Sequence, residues 1–335
     1  DDKQLRTRQL FHSALICPRK YKRQIQIPKF RTPHSAFSTP LVSFFQLFYG
    51  CLPSDITISN VRSRMKFFRT LLFLPVLFFS ITASFSQRIK TPDEFLPHKI
   101  GDKFTPHYLL NAYFEYVASQ AASTMKLEKY GRTNEERPLQ IAIFSSPENM
   151  ARLEQIRLNN LRMAGMAEGA ADNSNPVAIV WISMSVHGNE ASGSEASMLL
   201  AHDLSTQTDP KIKEYLQNTV VILDPSLNPD GYDRYTHWNR SVTNIQKNTH
   251  SISREHREPW PGGRVNHYYF DLNRDWAWAS QLETQQRLAV YHQWLPHVHP
   301  DVHEQGPNDP YYFAPAAEPM HELITPWQRD FQSEI

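Results

Sequence analysis

The sequence predicts an α/β fold, a twisted mixed, mainly parallel sheet between helices. Three observations lead there. Two apolar runs, VAIVWISM at 177–184 and VVIL at 220–223, show no polar alternation, as strands buried on both faces do. Segments with helical spacing lie between the strand-like runs, which is the βαβ pattern of a parallel sheet. Residues 87 to 335 form one stretch of 249 residues with no internal repeat or low-complexity linker, enough for a single large domain with a sizeable core.

Each element has its own signal. Tyr108, Leu109, Tyr113 and Val117 fall near helical spacing and predict a helix over 107–127. LQIAIF at 139–144 predicts a strand, and 150–163 a helix. The strand at 177–184 leads into a helix that Ser192 and Glu195 could open as a capping box. Ser280 and Glu283 offer a second capping box, for a helix that Pro296 ends. Residues 298–303 predict a last strand, and the ending QRDFQSEI reads as the middle of a helix. In sheets of this kind, sites form beyond the carboxyl ends of the strands.

The charge is unevenly spread. Residues 1–64 hold 11 Lys/Arg against 3 Asp/Glu, whereas the part from Gln87 holds 22 against 31. That break predicts that the two ends do not share one folded unit, and 1–64 is expected to be an upstream extension outside the domain. The acidic part has no basic runs, so nucleic acid is not an expected partner. Residues 65–86 (MKFFRTLLFLPVLFFSITASFS) carry two cations, an apolar run, then Ser84 and Ser86, the layout of a cleaved secretory signal peptide. The apolar run is short of the ~20 residues that span a bilayer, so no stable membrane anchor is predicted. Export to the periplasm, cell surface or medium is expected, with the folded domain over 87–335. Both cysteines, Cys17 and Cys51, precede it, so a metal there must be held by His and carboxylate.

Such residues exist. His187 and Glu190 stand three apart just past the strand at 177–184, where both can turn to one point above the sheet. Imidazole nitrogen and carboxylate oxygen suit zinc. Taken alone, this pair is a weak signal and reads more readily as a solvated surface turn. A third donor could come from His297, His299 or His303, of which His303 sits where a strand would leave the sheet. Two His and one Glu would leave a fourth position for water, as catalytic zinc sites do. Asn228-Pro229-Asp230-Gly231 reads as a loop. Arg264 and Arg274 follow, and arginine forks grip carboxylates and stabilise oxyanions.

In order, HGNE, NPDGY, GRVN and FDLNRD resemble the M14 metallocarboxypeptidase family, in the branch that reads HGNE. The resemblance runs from about residue 92 to 315. It implies a zinc carboxypeptidase-like fold with a twisted mixed sheet, and Zn2+ as cofactor on His187, Glu190 and His303. It implies that Asn273 and Arg274 bind the free carboxylate of a peptide or protein C-terminus, the substrate. Arg264 would polarise the scissile carbonyl, with Arg240 the weaker choice for that role. The family's general base is a Glu well downstream of the third metal ligand, whereas Ile335 follows His303 closely. Glu304, Glu318 and Glu322 stand too early to match it, so the domain is expected to be incomplete at its C-terminus and the 335-residue chain to have little peptidase activity. A zinc amidohydrolase acting on acylated amino acids, or a non-catalytic zinc-binding homologue, would share these motifs. The sequence leaves the oligomeric state and the preferred C-terminal residue open.

Overall fold

The computed structural model describes residues 88–306, 309 and 318–334. The expected extension at 1–64 and the expected signal segment at 65–86 lie outside the described residues. In chain order the elements are α1 (Pro92–Phe95), α2 (His107–Gln120), β1 (Met125–Arg132), β2 (Pro138–Phe144), α3 (Pro147–Ala151), α4 (Leu153–Met163) and β3 (Ala178–Met184). They continue with α5 (Ser192–Thr206), α6 (Pro210–Asn218), β4 (Thr219–Asp224), α7 (Pro229–Val242), α8 (Leu282–Trp294), β5 (Asp301–Val302) and α9 (Pro326–Phe331).

The five strands form one sheet in the order β1-β2-β4-β3-β5. Helices cover both faces. On one side Leu110, Tyr113, Phe114 and Val117 of α2, Met198 and Ala201 of α5 and Leu216 of α6 pack on Ala142, Phe144, Met184 and Leu223. On the other, Leu153 and Ile156 of α4 and Val290 and Trp294 of α8 pack on Ile141, Ile143, Ile179, Trp181 and Ile222. Burial of all residues from Leu139 to Phe144 explains why β2 shows no alternation. Truncating Ile141 or Ile222 to Ala would cost ~2–5 kcal/mol, because both lie at zero exposure in a close-packed layer.

The sheet is mixed, with β2 running against the other four strands. β1 with β2 and β2 with β4 run antiparallel, while β3 pairs in parallel with β4 and with β5. The short turn at 133–137 can only return an antiparallel strand, and crossover helices begin after β2. The helix expected over 107–127 ends at Gln120, and Met125 opens β1. Met125 and Leu127 alternate with Lys126 and Glu128, a strand signal that the preceding helical pattern hid. The last strand shrinks to Asp301–Val302, with one bridge between Val180 and Val298.

Neither capping box forms. Ala191 is the N-cap of α5, and Glu195 instead accepts from the Thr105 N–H and, at 3.0 Å, the Thr105 hydroxyl. Gln281 is the N-cap of α8; Ser280 donates to Asp275 at 2.6 Å and Glu283 accepts from Asn266 at 3.3 Å. Tertiary partners win both groups. Conversely, Asn228-Pro229-Asp230-Gly231 is no mere loop. It opens α7: Asn228 accepts from the Gly231 N–H at 3.0 Å, Pro229 stands where no N–H is needed, and Asp230 faces the positive helix end.

The parallel strands β3, β4 and β5 all point their C-terminal ends to one edge of the sheet. The chain leaves them through Ser185, Pro225 and His303, which brings the sequence motifs together.

Candidate metal centre

At the end of β3, Ser185 takes a left-handed backbone (φ 51°), which turns the chain sharply. Its hydroxyl donates to the Glu190 carbonyl at 2.9 Å, and the Glu190 N–H donates to the His187 carbonyl at 3.1 Å. This tight turn places His187 and Glu190 on one side. Val186, just before His187, anchors the loop beneath, against Leu227 and Leu272.

Three loops then meet at glycines. A Cβ on Gly188 would lie 2.2 Å from the Tyr232 nitrogen and 2.6 Å from the Gly263 oxygen. One on Gly231 would lie 2.3 Å from the Gly263 oxygen, and one on Gly263 would lie 2.6 Å from the Gly231 oxygen. Only residues without a side chain allow these backbones to touch. Polar ties reinforce the junction. Asn228 donates to the Arg264 carbonyl at 3.1 Å, and Asn189 to Glu258 at 2.9 Å. Glu258 also accepts from the Gly263 N–H, and Arg234 clamps the carbonyls of Gly262, Val265 and Asn266 at 2.9 to 3.2 Å.

Around this frame, one donor atom each from His187, Glu190 and His303 lies within 4.8 Å of the others. His187 Nδ1 is 2.8 Å from Glu190 Oε1, and His303 Nδ1 is 3.0 Å from Oε2 of the same carboxylate. The opposite nitrogens face other acids: His187 Nε2 is 3.1 Å from Asp271 Oδ1, and His303 Nε2 is 3.2 Å from Asp301 Oδ2. If both Nε2–H groups donate to these carboxylates, each Nδ1 turns a lone pair toward Glu190. Lone pairs facing a carboxylate at such distances repel unless protons or a cation stand between them. Nitrogen, nitrogen and oxygen donors, with carboxylates behind the imidazoles, are the set that holds zinc. The residues therefore fit a zinc ion. Burial would push the Glu190 carboxyl up, but hydrogen bonds from His187 and the Glu304 N–H, with the nearby histidine charges, hold it below the usual carboxylate range.

Arg264 donates to Asp271 Oδ2 through Nε (3.2 Å) and Nη2 (3.0 Å), while Nη1 lies 3.8 Å from Glu190. Burial raises the Asp271 carboxyl, and the charges of His187 and Arg264 outweigh it, holding the group low and ionised. Asn273 Nδ2 sits 3.4 Å from His303 Nε2. Arg274 is exposed, donates only to the Asn273 carbonyl at 3.4 Å, and has no acidic partner among the described residues. Thus His187, Glu190, His303, Arg264 and Asn273 meet in one cluster, and Arg274 adjoins it in the chain through Asn273.

Other candidates go elsewhere. Arg240 donates to the Phe104 carbonyl at 2.9 Å and lines a separate cavity of about 860 Å³ with Tyr235. His297 accepts from the Ile179 N–H at 3.0 Å, and His299 pairs with Ser183 at 2.8 Å. Glu304 accepts from the Ser192 N–H (2.7 Å) and hydroxyl (2.6 Å), so it caps α5. Glu318 and Glu322 are exposed and touch none of the cluster. A second group, Glu135, Asp230 and His267, is also close-set. Arg137 sits against both of its acids, 2.5 Å from Glu135 and 2.9 Å from Asp230, so a cationic side chain already occupies it.

Asp271, Glu258, Arg234 and Asp301 are the residues that sequence reasoning missed. Asp271 stood within FDLNRD, two residues before Asn273, but nothing local showed that it backs His187.

Two imidazoles and a carboxylate at the C-terminal edge of parallel strands, with arginines alongside, are an arrangement that metal-dependent hydrolases use. The chain belongs to the zinc carboxypeptidase family (Peptidase M14), whose sequence pattern matches residues 110–303, more than half of its length. Among solved structures, it is similar to a carboxypeptidase A from Helicoverpa armigera (16% identity, TM-score 0.39), covering 75% of this chain and 55% of that one. It is also similar to a metallo-carboxypeptidase from Burkholderia cenocepacia (17% identity, TM-score 0.45), covering 68% and 47%. The chain thus spans about half the length of these structures.

Proposed function

We propose that the protein is a zinc-dependent carboxypeptidase that removes the last residue of peptides or proteins. His187, Glu190 and His303 hold the metal. Bound zinc supplies Lewis acidity for the carbonyl and lowers the pKa of water toward ~7. Asn273 and Arg274 receive the substrate's terminal carboxylate, and Arg264 uses its Nη1, the fork atom not bonded to Asp271, to polarise the scissile carbonyl. Asp271 orients both His187 and Arg264. The observation that carries this reading is Arg274, an exposed guanidinium without an acidic partner, one residue from Asn273, which stands against His303. A guanidinium free to take an anion, next in the chain to a residue at the metal cluster, suits an anionic chain end.

The test, in an enzyme preparation active on free peptides, compares peptides with free and amidated C-termini. Arg274→Ala should weaken kcat/KM for free peptides by ~10–150-fold, the loss of a charge-assisted pair of about 1.5–3 kcal/mol, and leave amidated peptides little changed. Equal losses on both would remove Arg274 from carboxylate recognition.

The proposal includes export, with everything before about Gln87 removed. Support comes from Lys66, Arg69, the apolar run and Ser84/Ser86. No helix among the described residues is long and apolar enough to cross a membrane. N-terminal sequencing of the exported protein should begin near Gln87; retention of the apolar run would exclude cleavage there.

A further inference from the structure

Arg287 is a buried charge that the proposed chemistry leaves unused. It lies on α8 at zero exposure, and Nε, Nη1 and Nη2 all lack hydrogen-bond partners among the described residues. Its guanidinium stands 4.1 Å over the Trp276 ring, which satisfies one face but none of the N–H groups. A buried cation without acceptors is strongly disfavoured, so these donors need partners.

Potential acceptors are nearby and equally unpaired. Asp224 Oδ1 at the end of β4, Ser226 Oγ, Thr284 Oγ1 on α8 and Asp301 Oδ1 on β5 are buried without partners. Burial pulls the Arg287 pKa down, while the charges of Tyr130, Asp224, Asp301 and Asp275 act against that. Yet among the described residues Arg287 forms no ion pair. Internal water, with two to four polar neighbours per molecule, is what joins groups that share a buried space without touching.

Asp301 links this buried set of polar groups to the metal cluster. Its Oδ1 belongs to the unpaired set, and its Oδ2 is 3.2 Å from His303 Nε2. The opposite ring nitrogen faces Glu190 at 3.0 Å. An acceptor on Nε2 fixes the tautomer that leaves Nδ1 free as a donor to metal. Asp301 itself stays put only if something holds its other oxygen.

We propose that Asp301 is a positioning residue for His303, held in turn by the buried Arg287 through internal water. The proposal rests on reading His303 as a metal ligand. A chain of contacts then runs from α8 through β5 to the cluster: Arg287 keeps Asp301 oriented, and Asp301 keeps the His303 imidazole aimed at Glu190.

The test measures zinc affinity of the intact protein by competition with a chromophoric chelator, under conditions where metal-free variants keep the parent's far-UV spectrum. Asp301→Asn should weaken zinc binding ~10–100-fold, the range typical of removing such an outer partner. Arg287→Met should weaken it in the same direction, and Arg287→Lys should restore most of the loss. The double variant Asp301→Asn/Arg287→Met should be no weaker than Asp301→Asn alone, because Arg287 acts through Asp301. Parent-like affinity in Asp301→Asn, or losses that multiply in the double variant, would overturn the proposal. Should Arg287→Met not fold, Asp301→Asn and a crystal structure decide it. Ordered water between Arg287 and Asp301 is expected, and a dry Arg287 paired elsewhere overturns it. His303→Ala serves as the control. If it binds zinc like the parent, the ligand reading fails; if it alone loses zinc, only the Asp301–Arg287 link fails.

Discussion

At the scale of single residues, the site was legible wherever chemistry is encoded locally. His187, Glu190, His303, Arg264, Asn273 and Arg274 each sit in a short motif whose residue types suit their proposed tasks. Their supports were not legible. Asp271 is 84 positions from His187, and Glu258 is 69 from Asn189, so no periodicity or spacing rule connects them. Only the fold brings those carboxylates into contact. The residue-scale prediction concerns the metal. Purified protein should hold about one zinc, and His303→Ala should hold far less, as metal analysis would show; equal content would exclude His303 as a ligand. Asp271 makes a sharper point about roles. One carboxylate serves an imidazole and a guanidinium at once, so its two oxygens set the spacing between His187 and Arg264.

At the scale of elements, sequence patterns found the buried strands and misjudged the boundaries. β2, β3 and β4 were visible because continuous apolar runs have few other uses. β1 was hidden because an eight-residue edge strand with Lys126, Glu128 and Lys129 looks like the tail of a charged helix. The capping signatures failed because Glu195 and Glu283 found buried partners across the fold that outcompete a local cap. The true anion at the start of α5 is Glu304, more than a hundred residues away. This assigns Glu304 a structural task and gives a clear expectation. Glu304→Ala should cost ~1 kcal/mol of stability, as loss of a cap does, seen in thermal melts. Its effect on kcat should stay well below the ~10²–10⁴ of a general base. A kcat loss in that range at unchanged stability would make Glu304 the proton acceptor instead.

At the scale of the whole molecule, two buried titrating groups set opposing pH dependences. Burial pulls His107 down to about 4 from its ordinary 6.5. Between those values the unfolded chain binds the extra proton, so stability is present above pH 6.5 and is lost as pH falls toward 4, by about 3 kcal/mol. Burial pushes Asp224 up to about 7 from 3.8. Here the folded protein binds the extra proton, so stability is greatest below pH 4 and is lost as pH rises toward 7, by about 4 kcal/mol. The two slopes largely offset each other in the parent. Urea denaturation at pH 4.5 and 6.5 should show Asp224→Asn gaining stability with rising pH relative to the parent, and His107→Asn losing it. Parallel behaviour of both variants would contradict this assignment. The glycine junction has a consequence of a different kind. Because the Gly188, Gly231 and Gly263 backbones touch without side chains between them, no one loop can lift away without opening the others. The region should therefore open as one cooperative unit, with amide protons from three distant stretches of chain exchanging with solvent at a common rate.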